Sequence, residues 1–116
     1  MSSTTLPRLK RRREFLRVAS RGRRTSRDGL VLQALAQPGA ALRLGFTVTK
    51  KVGNAVVRNR AKRRLREAAR ALLGQDPPQG WDLVLIGRDA TPERPFTALL
   101  GDLRSALGTL GVVARP

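Results

Sequence analysis

Neither cysteine nor histidine occurs among the 116 residues. Their absence excludes disulfides, Cys/His zinc sites, thiol nucleophiles and a histidine general base. Aromatic side chains are almost as scarce, limited to Phe15, Phe46, Trp81 and Phe96. Acidic residues number only 8 against 24 lysines and arginines. Asp82, Asp89 and Glu93 could be imagined as a metal cluster, but positions in turns and at strand ends account for them more simply. Long apolar runs are missing too. The longest, Leu83–Ile86, is far too short to span a bilayer, and no run of signal-peptide length follows the basic N-terminus. The expectation is a soluble, cytoplasmic protein with no membrane partner and no obligate protein partner.

What the chain has is positive charge, a net +16, and it is unevenly placed. Residues 8–27 hold ten basic residues and Glu14, and residues 50–70 hold nine basic residues and Glu67. The remainder is close to neutral. Clustering of this kind marks a polyanion-binding face, most often for nucleic acid. Arginine outnumbers lysine 20 to 4. That suits forked contacts to phosphate, although a GC-rich genome produces the same bias. The length fits one domain, with a loose tail over 1–7 and a single domain over 8–116.

Periodicity places the elements. Leu9, Phe15, Leu16 and Ala19 predict a short basic helix over about 12–20, broken by Ser20, Gly22 and Ser26. Leu30–Ala36 reads as a strand ending in the turn Gln37-Pro38-Gly39. Leu42, Leu44, Phe46 and Val48 alternate with Arg43, Gly45, Thr47 and Thr49, giving a strand with one apolar and one small, polar face. These two strands suggest an antiparallel hairpin. Asn54 is a good N-cap for a helix over 54–73, whose apolar stripe is Val57, Ala61, Leu65, Ala68 and Leu72. Gly74 and Pro77-Pro78 end it. Trp81–Gly87 reads as a buried strand, and Phe96, Leu99, Leu100, Leu103 and Leu107 form the stripe of a last helix. The fold class is therefore α+β: a small mixed sheet with about three helices in the order α-β-β-α-β-α.

The helix over 54–73 is costly by itself. Arg58, Lys62, Arg66 and Arg70 stand at i, i+4 spacing, and such like-charge pairs destabilise a helix by a few tenths of a kcal/mol each. Arg58 and Arg60 also oppose the helix dipole. Arg60 and Arg64 fall on the other flank. A phosphate-bearing partner compensates such a surface, whereas a merely solvated basic face would bind RNA weakly and generally.

The stretch KKVGNAVVRNRAKRRLRE, residues 50–67, closely resembles the signature of the bacterial ribonuclease P protein family. There, a strand ending in Lys-Lys leads through Gly-Asn-Ala into a helix reading Arg-Asn-Arg-x-(Lys/Arg)-Arg. Leu9, Phe15, Val18 and Gly22 match the family's N-terminal helix and turn. Leu42–Lys51 and Trp81–Arg88 match two of its strands. The resemblance implies a fold like domain 2 of ribosomal protein S5, with a left-handed βαβ crossover. It implies a protein cofactor that binds the catalytic RNA of ribonuclease P and the 5′ leader of precursor tRNA. The RNA with Mg²⁺ would perform the hydrolysis, the protein alone being inactive.

Carried over by position, Arg58, Asn59, Arg60, Lys62, Arg63 and Arg66 would meet the catalytic RNA. Phe15 would line a leader cleft between the first helix and the sheet, with Lys50, Lys51 and Arg88 near leader or tRNA phosphates. Ala19 and Gln33 stand at cleft positions often aromatic in relatives, so stacking there would be weaker. The alternation puts Phe46 on the core face with Leu42 and Leu44, leaving core and cleft both open for it. Read without the resemblance, Phe15 would be a core residue on a basic helix. Arg64 lies outside the motif's fixed positions, so Arg64→Lys is expected to change holoenzyme assembly little, whereas Arg60→Lys is expected to weaken it.

Other readings remain weaker. A small ribosomal or other structural RNA-binding protein fits the composition but not the motif. A helix-turn-helix reader needs a helix, not a strand, before its recognition helix. An RNA-recognition sheet needs more strand aromatics than one. A stand-alone nuclease lacks a credible set of catalytic groups.

Overall fold

The computed structural model describes residues 6–112. Three helices and four strands follow in the order α1 (Arg12–Arg21), β1 (Arg23–Ser26), β2 (Leu30–Ala36), β3 (Arg43–Thr47), α2 (Ala55–Leu73), β4 (Trp81–Gly87) and α3 (Phe96–Thr109). A short 3-10 turn, Lys50–Val52, separates β3 from α2. The strands form one mixed sheet in the order β1-β2-β4-β3. Here β4 runs antiparallel to β2 and parallel to β3, so α2 is the crossover between two parallel neighbours.

Two expectations are corrected. The segment 23–26 is a strand, paired with β2 from Arg23↔Ala34 to Ser26↔Val31, rather than a simple break. And β2 and β3 do not form a hairpin, because β4 lies between them. The reason is burial. WDLVLIG is apolar nearly throughout, and such a strand is most stable in the middle of a sheet with both faces covered. The β2–β3 connection therefore spans the width of β4. Residues 6 and 7, assigned to the loose tail, have defined contacts. Leu6 packs against the main core, and the Pro7 carbonyl accepts from the Leu44 amide at 2.9 Å. The rest of that tail, 1–5, lies outside the described residues.

The two faces of the sheet hold different cores. Leu30, Leu32, Leu44, Leu83 and Leu85 face α2 and α3, where they meet Leu65, Ala68, Leu73, Leu99, Leu103 and Ala106. On the reverse face Leu9, Val18 and Val84 are buried together, with Phe15, Leu35 and Ile86 packed against them. Thus α1 and α2 lie on opposite sides of the sheet.

Asn54 caps α2, its side chain accepting from the Val57 amide at 3.0 Å. Just before it, Gly53 has φ 155°, where a side chain would press on Val57. Glu14 reaches back to accept from the amides of Lys10 (2.8 Å) and Arg11 (2.9 Å), satisfying donors that open α1.

Candidate nucleic-acid interface

The small, polar face of β3 decides where α1 can sit. A Cβ on Gly45 would lie 2.5 Å from Cε2 of Phe15, so the absent side chain is what lets the Phe15 ring rest on the strand. The same face carries Arg43, which fixes α1 to the sheet. Its guanidinium donates to both carboxylate oxygens of Asp82, at 3.0 and 2.8 Å, and to Glu14 at 2.7 Å. Asp82 is fully buried and also accepts from Gln37. The Glu14 carboxyl is held at about 2, below the ordinary 4.5, chiefly by the Arg11 and Lys10 amides and then by Arg43.

Beyond Phe15 an open groove of about 480 Å³ runs along the β3 edge, lined by Lys10, Arg12, Phe15, Leu16, Phe46, Thr47, Val48 and Lys62. Lys10 and Arg12 come from the first basic segment and Lys62 from the second. Of the residues expected in the cleft, Phe15 is in the groove. Gln33 is instead buried on the α1 face of β2, opposite Val84, and Ala19 is exposed on α1 outside the groove lining. Leu16, 52% exposed, is the apolar wall that the periodicity of α1 did not assign to the groove. Its exposure on a short, otherwise basic helix is visible only once the face of α1 is known.

Phe46 takes both of the roles left open for it. It packs against the main core, and it lines the groove. The guanidinium carbons of Arg8 and Arg66 lie 5.9 and 6.0 Å from its ring centroid, within cation–π range.

The motif residues of α2 and their basic neighbours divide into three groups. Asn59 and Arg63 are exposed to solvent, while Lys62 and Arg66 point toward the β3 edge and Arg58 donates to the Gly53 carbonyl at 3.0 Å. On the opposite flank Arg60 pairs with Glu93 at 2.8 Å, a solvent-exposed contact worth about 0–1 kcal/mol. Arg64 has partners within the protein. It donates to the carbonyls of Thr91 and Arg94 and lies over Phe96, thereby holding the turn that precedes α3. A lysine cannot make that forked contact, so Arg64→Lys bears on the turn before α3, separately from assembly with RNA.

Because β3 and β4 are parallel, the residues after them meet at one end of the sheet. Lys50 and Lys51 are exposed there. Arg88 is exposed as well and donates to the Arg27 carbonyl at 2.7 Å. Asp82, Asp89 and Glu93 do not converge. The first is bound by Arg43 and the last by Arg60, and among the described residues no three acidic side chains gather.

The Ribonuclease P family model matches residues 4–111. The chain belongs to the ribonuclease P protein family. It is 62% identical over 106 residues to the ribonuclease P protein component of Gluconacetobacter diazotrophicus, covering 90% of this chain and 91% of that one. It is 49% identical over 115 residues to that of Paramagnetospirillum magneticum, covering 95% and 86%. The fold is similar to the RNase P protein of Staphylococcus aureus, with a TM-score of 0.78, 26% identity, and coverage of 93% and 98%. Against the RNase P protein of Thermotoga maritima the TM-score is 0.71 at 28% identity, again covering 93% and 98%. The chain is thus a protein subunit of ribonuclease P, an endoribonuclease, and it acts in tRNA 5′ maturation together with the catalytic RNA. Among the described residues no helix is long and apolar enough to cross a membrane.

Proposed function

We propose that this ribonuclease P protein divides its cationic surface between two RNAs. The polar surface of α2, with Arg58, Asn59, Arg60, Arg63 and Arg66, binds the catalytic RNA, and Lys62, at its border with the groove, is shared between the two RNAs. The groove between α1 and the β3 edge takes the 5′ leader of precursor tRNA. Phe15 offers a ring for a base, and Lys10, Arg12 and Lys62 offer charge to its phosphates. Lys50, Lys51 and Arg88, at the end of the sheet, contact phosphates farther along the leader or the tRNA. The single observation that carries this reading is the meeting of the two basic segments. Lys10 and Arg12 are some fifty residues from Lys62 in the chain, yet they line one groove with Phe15.

Among the described residues no three acidic side chains gather into a magnesium site. Glu14, Asp82, Glu93 and Asp102 are each paired with an arginine, so Mg²⁺ in the holoenzyme belongs with RNA phosphates. The protein works in the cytoplasm, without a membrane or an obligate protein partner. Reconstitution tests the division of chemistry. Precursor tRNA incubated in low Mg²⁺ should stay intact with the protein alone and be cut correctly at the 5′ end when both subunits are present. Robust cleavage by RNA-free protein would overturn the reading.

A further inference from the structure

The N-terminal segment is stitched to β3 by two backbone hydrogen bonds. The Leu9 amide donates to the Leu44 carbonyl at 2.8 Å, and the Leu44 amide donates to the Pro7 carbonyl at 2.9 Å. Arg8 lies between these bonds, in a parallel bridge with Leu44. Its side chain reaches over the ring of Phe46, which Arg66 of α2 also approaches. Two cations that repel one another are therefore gathered at one half-buried ring. Neither has a carboxylate partner among the described residues.

Arg66 is incompletely satisfied as well. Its Nε is buried without an acceptor among the described residues, an arrangement proteins generally avoid. Desolvation, and after it the charge of Arg8, lowers the Arg66 pKa. The pair has donors and charge in excess and an anion in deficit.

We infer that Arg8 and Arg66 together hold one RNA backbone phosphate at a site built over the ring of Phe46. A phosphate has enough acceptor oxygens for two guanidinium forks and neutralises the repulsion between them. The ring keeps both side chains extended toward the place where that phosphate sits. The site makes Arg8, from outside the helical motif, a partner of the α2 surface. This inference rests on the RNA-binding reading of α2, and the phosphate belongs either to the catalytic RNA or to the substrate.

A double-mutant cycle tests it. Arg8→Gln, Arg66→Gln and the double variant are titrated with catalytic RNA. As holoenzymes they are titrated with precursor tRNA and with mature tRNA, each across a range of salt. Each single change should weaken binding of the same RNA about tenfold and reduce the salt slope by about 1. The double change should add little, because both arginines act on one phosphate. Loss confined to catalytic RNA, or to precursor tRNA, identifies which RNA supplies the phosphate. Multiplicative losses near a hundredfold, with the slope reduced by about 2, would mean two separate phosphates and overturn the site. An Arg8→Gln protein that melts like the wild type and binds every RNA normally would also overturn it. Arg63→Gln separates the two levels. If it weakens catalytic-RNA binding while Arg8→Gln weakens binding of neither catalytic RNA nor precursor tRNA, the shared site fails and the RNA-binding reading of α2 stands. If neither has an effect, both fail.

Discussion

Phe15→Ala should weaken the holoenzyme's grip on precursor tRNA by about tenfold to a hundredfold, as expected for loss of about 1–3 kcal/mol of base stacking. Mature tRNA, which has no leader, should bind as before, and so should the catalytic RNA. The structure makes this a cleaner test than the sequence alone does. Phe15 is half-buried, resting on Gly45 with its remaining surface toward the groove. Truncating it should therefore cost less than the roughly 3–5 kcal/mol typical of a fully buried phenylalanine. Titrations with the two tRNAs, run beside a thermal melt, check it. Equal losses for precursor and mature tRNA would remove Phe15 from the leader site.

Asp82→Ala should destabilise the fold by about 3 kcal/mol, the low end of the range for breaking a buried ion pair. Asp82 is the buried member, its side chain 1% exposed, while that of Arg43 is 31% exposed and keeps Glu14 as a second partner. The loss also reaches the groove. Glu14 on α1 and Arg43 on β3 form the polar tie between the helix and the strand that flank Phe15. Urea unfolding of the variant gives the magnitude, and a change below about 1 kcal/mol would show that the network is not a stabilising anchor.

Much of this arrangement is legible in the sequence, for identifiable reasons. Asn54, the apolar stripe from Val57 to Leu72 and the terminating prolines define α2 because each acts within its own helix. The alternation across Leu42–Thr49 marks the strand core Arg43–Thr47, and on its polar side Arg43 and Gly45 meet Glu14 and Phe15 of α1 while Thr47 lines the groove. By contrast β1, with the sequence RRTS, has no apolar face and offers no alternation to read. Its pairing is supplied by the exposed edge of β2. The hairpin expected for β2 and β3 followed from their nearness in the chain. The contrary signal was the continuous apolarity of β4, which calls for a central place. Partners made of backbone are the least visible. Nothing in the sequence says that Arg64 meets the carbonyls of Thr91 and Arg94, whereas its lying on the same flank as Arg60 follows from helical spacing.

The central claim is that α2 faces the catalytic RNA while the α1 groove faces the leader, and site-specific photo-crosslinking tests it most directly. A photoreactive phenylalanine derivative is placed at Leu16, exposed in the groove, or at Arg63, exposed on α2, in the assembled holoenzyme with precursor tRNA bound. Position 16 should crosslink to leader nucleotides and position 63 to the catalytic RNA. Crosslinks from position 16 to the catalytic RNA alone, or from position 63 to the leader, would contradict it.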